Sequence, residues 1–525
     1  MRVWMLTFES KTTRKVGGLA EVPPELARNL TGRSFETTLV TPSHGLRIEG
    51  GVVLEEEIAG AKYRVLTARL DGLDHYIVEG GLFESGDVYG GDLPSKALVF
   101  ARIVKGLFEK SLREGSSPDL VHAHDWHSGI SLVGLNSLIV KEGLKPRLVY
   151  HIHLLSKAWF KREDLEGILS GRLVGGVYGV REFSEYYDLS QGFADKLIPL
   201  LADKTVTVSA DYAKTVEKWV GLKHPLKVEA VPNGSPWSPG MVLEHVQKLA
   251  GAKGVEDRAV TRRAVLRELC SKNVAELSEE WYKTLKSLGV DPASDTWHQC
   301  FEEDGDLVLS TGRISRQKGF EVLLKALEKT IVRNPRLRLL LMVIPVPGSE
   351  SLIEWMVRYL RVYERNLKIV FGRVPKSLYV PAHYATRVYV APSLYEPFGL
   401  VALEAMASGT PVLASNTGGF KTTVLDLRVV GLKGTGILFE TGSVEQLASY
   451  LSDLTLLMSV EEVESVEVGR VAERIADPRV RDLLNEHGAP FVIRRSCVDR
   501  SREFGWGMSV LKLVEVYTGI QPPGD

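Results

Sequence analysis

The chain has 525 residues, of which 44% are hydrophobic and 25% are charged, and its formal net charge is −1. This length exceeds what one hydrophobic core supports and predicts two or three domains. A net charge close to zero gives no overall attraction for nucleic acid or an anionic membrane, so we expect neither as a partner. No apolar run approaches the roughly 20 residues that cross a bilayer, and the N-terminal pattern is not that of a signal peptide. We therefore expect a cytoplasmic protein.

The chain contains three cysteines. Cys270, Cys300 and Cys497 lie far apart in the sequence. An odd number with this spacing is not typical of a disulfide framework or a zinc ribbon, so we expect neither.

Apolar strands alternate with amphipathic helices through the first half of the chain. Apolar runs predict strands at 2–8, 35–43, 119–126, 147–154, 204–209 and 227–234. Between them, apolar residues recur at intervals of three and four, for instance at 95–112, and predict helices. Strands that are apolar on both faces and alternate with helices indicate a doubly wound α/β domain with a parallel sheet. Residues 50–80 instead alternate with short turns and predict an inserted antiparallel hairpin.

The second half repeats this pattern and predicts a second α/β domain. Its predicted strands are 306–314, 336–346, 367–374, 386–393 and 410–415. Residues 238–305 are charged and helical in pattern, most clearly at 255–270, and indicate a helical insertion. We therefore divide the chain into a first domain at 1–236, an insertion or linker at 237–305, a second domain at 306–490 and a C-terminal segment at 491–525.

The stretch KVGGLAEV at 15–22 follows the first predicted strand. Gly17 and Gly18 let the backbone approach a ligand closely, a following helix offers unpaired N–H groups, and Lys15 adds a cation. This combination indicates a phosphate site, although a glycine pair is more often a simple turn. The GxGxxG and GxxxxGK[ST] motifs do not occur, so a standard dinucleotide or P-loop site is not expected.

The second half carries two charged turns of the same kind. Arg313 and Lys318 lie in GRISRQKGF after the first strand, where two cations suit a diphosphate. Glu396 precedes a predicted helix, and Glu404 lies about two turns further on the same face. One carboxylate can address a sugar and the other a ribose hydroxyl. The simpler interpretation is that all four are solvated charges or helix caps.

Five histidines follow two strands of the first half within 32 residues: His122, His124, His127, His151 and His153. Two histidines separated by one residue on a strand point to the same side and suit a metal. The spacing HxHDxH differs from the dinuclear hydrolase pattern HxHxDH because Asp125 comes one residue early. We therefore expect no metal site, and a metal-dependent hydrolase stays an alternative.

Taken in order, these motifs resemble the glycogen and starch synthases, which are retaining glycosyltransferases of GT-B fold. The shared motifs are KVGGLAEV, HAHDWH, a histidine-containing strand end, NG after a strand, GRxSxQKG, EPFGLxxLE and TGG. The resemblance covers 1–236 and 306 to about 456, and it resumes at 503–520, which is similar to the family's closing helix. It implies two doubly wound Rossmann-like domains that face each other across a cleft. It also implies that the segment 491–525 packs back on the first domain.

The resemblance implies transfer of glucose, with retention, from ADP-glucose or UDP-glucose to the non-reducing end of an α-1,4-glucan such as glycogen. No cofactor is implied. The implied catalytic residues are Arg313 and Lys318 on the diphosphate, and His153 and Glu396 on the sugar. The implied donor-binding residues are Lys15, Gly17, Gly18, Asp125, Asn233, Glu404, Thr417, Gly418 and Gly419. Among them, Asp125 and Asn233 would line the cleft, and the glycines would present backbone N–H groups.

Several alternatives stay open at the level of sequence. A sucrose- or trehalose-forming GT-B enzyme keeps EPFG but does not normally combine KVGGL with HAHDWH. A sugar-nucleotide epimerase shares the two-domain build. A catalytically silent glucan-binding protein should lack Arg313, Lys318 or Glu396, and all three are present. Residues 155–200 and 238–305 match the family poorly, so no acceptor contact can be transferred there.

Overall fold

The computed structural model describes residues 1–176, 178–221 and 227–519. The chain divides into two compact units, and the first comprises residues 1–234 together with the segment that starts at Gly505. The second unit is Ser235–Phe504. The last six residues of the predicted segment 491–525 lie outside the described residues. None of the helices in the described part combines the length and apolar character needed to cross a bilayer.

A nine-stranded sheet forms the centre of the first unit, counted over its described residues. Its strands are β1 (Arg2–Leu6), β2 (Glu36–Pro42), β3 (Gly51–Ile58), β4 (Ala61–Leu70), β5 (Leu73–Gly80), β6 (Leu120–His124), β7 (Arg147–Ile152), β10 (Lys204–Thr207) and β11 (Val228–Ala230). Two further short strands, β8 (Leu173–Gly175) and β9 (Gly179–Arg181), pair only with each other.

The order of the large sheet is β11-β10-β7-β6-β1-β2-β5-β4-β3. All its neighbouring strands are parallel except the pairs β3–β4 and β4–β5. This confirms the predicted parallel sheet, and the antiparallel pairs occupy the region predicted as a hairpin. The strand order reverses between β1 and β6, and such a reversal is where open α/β sheets bind ligands.

Helices cover this sheet, and its central strands β1, β6 and β7 are buried along almost their whole length. The helices of the first unit are Val22–Thr31, Leu93–Arg113, Asp125–Gly129, Ser131–Glu142, Arg162–Glu166, Phe183–Ser190, Ala194–Leu201, Ala210–Val220 and Trp506–Thr518. Leu26 of the first helix and Leu513 of the last helix share one buried cluster with Val3, Leu120 and Val149 of the sheet. The C-terminal helix is therefore part of the core of the first unit.

The second unit contains a six-stranded parallel sheet, counted over its described residues, in the order β14-β13-β12-β15-β16-β17. Its strands are β12 (Asp306–Arg313), β13 (Leu337–Ile344), β14 (Leu367–Phe371), β15 (Val388–Ala391), β16 (Val412–Ser415) and β17 (Gly436–Phe439). This is the strand order of the Rossmann fold, and it reverses between β12 and β15. The predicted second doubly wound domain is confirmed.

The helices of the second unit surround this sheet. They are Pro239–Glu256, Arg258–Ser271, Glu279–Ser287, Phe320–Arg333, Glu350–Val362, Lys376–Ala385, Leu400–Ala407, Phe420–Thr423, Leu427–Val430, Val444–Ser459, Val468–Arg474, Pro478–Arg481 and Ala489–Glu503. The amphipathic stretch predicted at 255–270 is interrupted at Asp257, whose carboxylate accepts a hydrogen bond from the N–H of Ala259 at 2.8 Å. Asp257 caps the second of two helices, as side-chain acceptors do at helix N-termini.

The structure contradicts the expectation about the cysteines, because Cys270 and Cys300 form a disulfide with a Cα–Cα distance of 4.5 Å. Cys270 lies in the last turn of its helix, where Gln299 donates to the carbonyl of Leu269 at 2.7 Å. Thr296 donates to the carbonyl of Cys270 at 3.2 Å. These contacts bring together two segments that the cysteine spacing alone does not relate.

Candidate functional site

In the first unit, the KVGGL loop follows β1 and is organised by Glu9. The Glu9 carboxylate is buried, and its Oε2 accepts from the N–H groups of Val16 and Gly17 at 2.7 and 2.8 Å. A Cβ at Gly17 would lie 3.2 Å from Glu9 Oε1. The N–H of Gly17 was expected to approach a phosphate, and in the structure it binds a carboxylate instead. Glu9 was not identified from the sequence, because a single acidic residue after a strand carries no signal.

Lys15 lies at the surface of this loop beside Glu21. Its Nζ is 2.6 Å from Glu21 Oε1, and Lys11 Nζ is 3.1 Å from Glu21 Oε2. Burial alone would raise the pKa of the Glu21 carboxyl, but Lys15 and Lys11 outweigh this and lower it. Gly18 begins a short 3-10 turn that leads into the helix Val22–Thr31. The connection after β1 therefore holds two partly exposed ammonium groups, those of Lys11 and Lys15.

Four of the five predicted histidines form a buried layer on the adjacent strands β6 and β7 and at the residue that follows β7, whereas His127 lies on the helix Asp125–Gly129. The rings of His151 and His153 stack with centroids 4.1 Å apart, and those of His124 and His153 with centroids 5.2 Å apart. His124 Nδ1 and His153 Nε2 share a hydrogen bond of 2.9 Å, and His122 Nδ1 bonds the hydroxyl of Tyr517 at 2.8 Å. The layer thus runs from the C-terminal helix to the carboxyl end of β7.

Burial determines the charge state of this layer. It lowers the pKa of His122 and of His153 to about 3, and it lowers the pKa of His124 and of His151 well below the ordinary value. All four imidazoles are therefore neutral near pH 7. His153 is 8% exposed, whereas the other three are fully buried, so His153 is the member that can reach a substrate. It can do so as a neutral hydrogen-bonding group.

Three of these histidines come close enough together to raise the question of a metal ion. One ring nitrogen each from His122, His124 and His151 lies within 4.8 Å of the others. Neither nitrogen of His151 has a hydrogen-bond partner among the described residues. However, the rings of His122 and His151 stack with an interplanar angle of 4°. Parallel rings direct their lone pairs side by side, whereas a tetrahedral site needs them to converge.

Asp125 supports the strand end that carries His153. Its Oδ1 accepts from the N–H groups of His153 and Leu154 at 2.6 and 3.1 Å. Burial raises the pKa of Asp125 to about 8, although these hydrogen bonds act in the opposite direction. Asp125 was expected to line a cleft, but it is buried and positions the backbone. Asn233 is also buried, and the neighbouring Gly234 packs against Trp506 of the C-terminal helix.

In the second unit, Lys318 and Glu396 form an ion pair where the strand order reverses. Lys318 Nζ lies 2.7 Å from Glu396 Oε2, and both side chains are largely buried, with exposed fractions of 16% and 13%. Ser393 Oγ donates to the same carboxylate oxygen at 3.2 Å. The loops after β12 and β15 also bind each other directly, since Gln317 Nε2 donates to the carbonyl of Tyr395 at 3.0 Å. The structure therefore brings two of the predicted catalytic residues together.

The turn that follows β16 contacts the backbone of Glu396. Gly419 donates its N–H to the carbonyl of Glu396 at 2.9 Å. A Cβ at Gly418, which has φ +48°, would lie 1.9 Å from the same oxygen. Only glycine allows this approach. The N–H of Gly419 was expected to face a donor and instead holds the Glu396 loop, while Thr417 begins the turn.

Arg313 and Glu404 lie on the elements that border this pair. Arg313 is half-buried at the carboxyl end of β12, and Glu404 is half-buried on the helix Leu400–Ala407. Tyr379 and Tyr389 share hydrogen bonds with Thr311 of β12 at 2.9 and 2.8 Å. Burial raises the pKa of both phenols, and the Glu404 carboxylate raises it further. Sequence reasoning did not identify the two tyrosines, which are part of the surroundings of Glu404.

Both units are matched by models of known protein families. Residues 2–227 match the model for the starch synthase catalytic domain, and residues 295–459 match the model for glycosyl transferases group 1. The matched ranges contain eight of the nine described strands of the first sheet, all six described strands of the second and every predicted site residue except Asn233. The chain is a glycosyltransferase of the glycogen and starch synthase family.

Curated relatives agree with membership of this synthase family. The chain is 26% identical over 459 residues to a glycogen synthase of Roseobacter denitrificans, covering 83% of this chain and 87% of that protein. It is also 26% identical over 505 residues to a glycogen synthase of Methylocella silvestris, covering 90% and 91%.

Solved structures show the same fold. The catalytic domain of starch synthase IV from Arabidopsis thaliana is 16% identical with a TM-score of 0.67, covering 99% of both chains. A sucrose-phosphate synthase from Thermosynechococcus elongatus is 17% identical with a TM-score of 0.56, covering 99% of this chain and 98% of that one. The fold of this synthase-family chain is therefore GT-B.

Proposed function

We propose that this glycosyltransferase is a glycogen synthase that transfers glucose, with retention, from a nucleoside-diphosphate glucose to the non-reducing end of an α-1,4-glucan. The observation that carries the proposal is the Lys318–Glu396 pair, which two loops hold at 2.7 Å where the strand order reverses. Open α/β sheets bind ligands at this position. The curated relatives that match most of the chain are named glycogen synthases, which favours a glucan as the acceptor.

The proposed chemistry follows from the charged side chains at the ends of β12 and β15. When the bond between C1 of glucose and the diphosphate breaks, negative charge develops on the leaving oxygen. Lys318 and Arg313 stabilise that charge, because fixed cations in a largely buried site need no reorganisation. Glu396, released from part of its bonding with Lys318, accepts hydrogen bonds from the sugar hydroxyls. An acceptor hydroxyl attacks C1 of the glucose, and its proton passes to the leaving diphosphate oxygen. In the first unit, the neutral His153 offers a hydrogen bond to a bound sugar.

An assay with ADP-glucose and UDP-glucose, each with glycogen, tests this function. We expect glucan growth together with release of the nucleoside diphosphate from at least one donor. Lys318→Ala should lower kcat/KM by roughly 10–150-fold, the effect of losing a charge-assisted hydrogen bond. Lys325→Ala is the matched control, because Lys325 is exposed on the adjoining helix Phe320–Arg333. Transfer to fructose 6-phosphate or glucose 6-phosphate, without glucan growth, would instead indicate a sucrose- or trehalose-forming enzyme.

A cytoplasmic location and activity without a cofactor or a metal belong to the same proposal. In this proposal, Lys318 and Arg313 supply the positive charge with which a divalent ion would otherwise neutralise the diphosphate. Dialysis against a chelator should therefore leave the rate of glucosyl transfer unchanged. A loss of activity that a divalent ion restores would contradict this and would direct attention to His122, His124 and His151.

A further inference from the structure

A tryptophan stands exposed on the loop that follows β7. Trp159 is 51% exposed, although a side chain of this size is usually covered in a folded protein. It lies six residues after His153, which directly follows β7 in the first unit. Six residues of extended chain span at most about 20 Å. Trp159 is therefore within the length of a short oligosaccharide from His153.

The loop that carries Trp159 is fixed along its length. Asp195 Oδ2 accepts from the N–H groups of Ser156 and Lys157 at 3.1 and 3.2 Å. The carbonyl of Ala158 accepts from the N–H of Ala194 at 2.9 Å. Phe160, the residue after Trp159, is buried against Trp126 of the HAHDWH motif with ring centroids 5.7 Å apart. The exposed indole is thus attached to the same framework as the histidine layer.

The indole itself is held in one orientation. Its Nε1–H donates to the carbonyl of Gln191 at 3.1 Å. A Cβ at Gly192 would lie 2.6 Å from Trp159 Nε1, so this glycine admits the indole edge. The polar atom of the indole is therefore engaged within the protein. A rigid exposed ring loses little conformational freedom when a ligand binds to it.

Further aromatic and cationic groups adjoin Trp159. Trp159 forms an isolated β-bridge with Phe193, whose ring meets that of Trp219 at a centroid distance of 5.5 Å. The ammonium groups of Lys157 and Lys196 lie over the Trp219 ring at 4.8 and 4.9 Å. This part of the first unit therefore combines aromatic rings with ammonium groups, which are hydrogen-bond donors.

We propose that Trp159 is a platform on which the glucan acceptor stacks, so that a chain bound there presents its non-reducing end toward His153. The C–H faces of glucose rings are apolar and pack on an aromatic face, while the ring hydroxyls point to water or to nearby donors such as Lys157. This inference rests on the proposed function for its acceptor class. It adds a specific binding residue in a part of the chain, 155–200, where the family resemblance supplies none.

The test compares Trp159→Ala with Trp159→Phe, using maltose, maltoheptaose and glycogen as acceptors at a fixed donor concentration. Trp159→Ala should raise KM for glycogen and maltoheptaose by roughly 3–10-fold, as expected for the loss of one aromatic contact. KM for the donor should be unchanged, and Trp159→Phe should keep most of the affinity. Val180→Ala is the control, because Val180 is 52% exposed in the same unit. An unchanged KM for the long acceptors in Trp159→Ala would overturn the proposal.

Direct binding separates this inference from the proposed function. Native electrophoresis of the full chain through gels that contain glycogen measures glucan affinity without any donor. Retardation of the wild-type chain that Trp159→Ala abolishes would support the platform even if no glucosyl transfer were found. Equal retardation of both chains, or none of either, would overturn the platform even if transfer were found. Thermal melts of each variant should match those of the wild type, since the substituted face is exposed.

Discussion

At the scale of single residues, the second unit keeps two opposite charges in contact inside a largely buried site. Each member of the Lys318–Glu396 pair compensates the charge of the other, and removing one leaves an uncompensated charge. A bound diphosphate offers Lys318 a second anionic partner. When the donor binds, Lys318 and Glu396 can therefore give up part of their contact with each other. Lys318 then contacts the diphosphate and Glu396 contacts the sugar hydroxyls, so neither charge is left without a polar partner.

Replacing Glu396 tests this arrangement. Glu396→Ala should lower kcat by roughly 10²-fold or more, because a preorganised contact to the transition state is lost. Glu396→Gln keeps the shape and one acceptor and should be less impaired. Glu445→Ala serves as a control, since Glu445 is exposed in the same unit and pairs with Lys329 at 2.5 Å. Normal turnover by Glu396→Ala, with an unchanged melting temperature, would show that this carboxylate does not contact the sugar.

Gly418, which packs against the carbonyl of Glu396, provides a second test. A Cβ at Gly418 would overlap the Glu396 carbonyl, whereas at Gly442, which also has positive φ, no described atom lies within 4 Å. Gly418→Ala should therefore displace Glu396 and lower kcat, while Gly442→Ala should show only the cost of a strained backbone, about 1 kcal/mol. Kinetics and melting temperatures of both variants measure this difference. Equal loss of activity in the two variants would contradict the supporting role of Gly418.

At the scale of elements, β6 and β7 place titratable rings where strands of such sheets normally carry aliphatic side chains. His122, His124, His151 and His153 remain neutral because burial lowers their pKa values. The unfolded chain binds protons to these rings near pH 6.5, and the folded chain does not. Their contribution to stability is therefore complete above about pH 6.5 and is lost as the pH falls toward 3. The pKa of Asp125 is raised to about 8 in the folded chain. Its contribution to stability is therefore present at low pH and is lost as the pH rises from its unfolded pKa toward 8.

We therefore predict that His151→Leu weakens the acid sensitivity of folding. The free energy of unfolding of the wild type should fall between pH 6.5 and 4.5, and the variant should lose up to about 1.4 kcal/mol less per pH unit. His151 is chosen because neither ring nitrogen bonds a described residue. His487→Gln, which removes a histidine at an exposed position, is the control. Denaturant unfolding across this pH range gives the slopes, and identical slopes for His151→Leu and wild type would refute the prediction.

The elements also show what the sequence can and cannot predict. Apolar runs such as those of β1 and β13 identified most strands of the two sheets, because burial on both faces is visible in composition. The strand β17, only Gly436–Phe439, was not predicted, since four residues beginning with glycine carry little pattern. The pairings Glu9–Gly17, Lys318–Glu396 and Cys270–Cys300 were not predicted either. They depend on how loops from different strands meet, which periodicity does not encode.

At the scale of the whole molecule, the chain crosses from the second unit back to the first at Gly505. The C-terminal helix Trp506–Thr518 then completes the core of the first unit through Val510, Leu513 and Tyr517. Arg147 of β7 donates to the carbonyl of Tyr517 at 2.8 Å. The first unit is therefore built from the two ends of the described chain, and it cannot be complete until the second unit has been synthesised.

Two leucines on this helix provide a matched test of that dependence. Leu513 is fully buried, whereas Leu511 is 42% exposed. Leu513→Ala should lower the free energy of unfolding of the first unit by about 2–5 kcal/mol, because a cavity replaces packed side-chain atoms. Leu511→Ala should change it by less than about 0.5 kcal/mol. Hydrogen exchange of the intact chain in mild denaturant locates the effect: protection should fall in β1, β6 and β7 and stay unchanged in β12–β17. Equal effects of the two substitutions, or loss of protection confined to the second sheet, would mean that the helix does not stabilise the first unit.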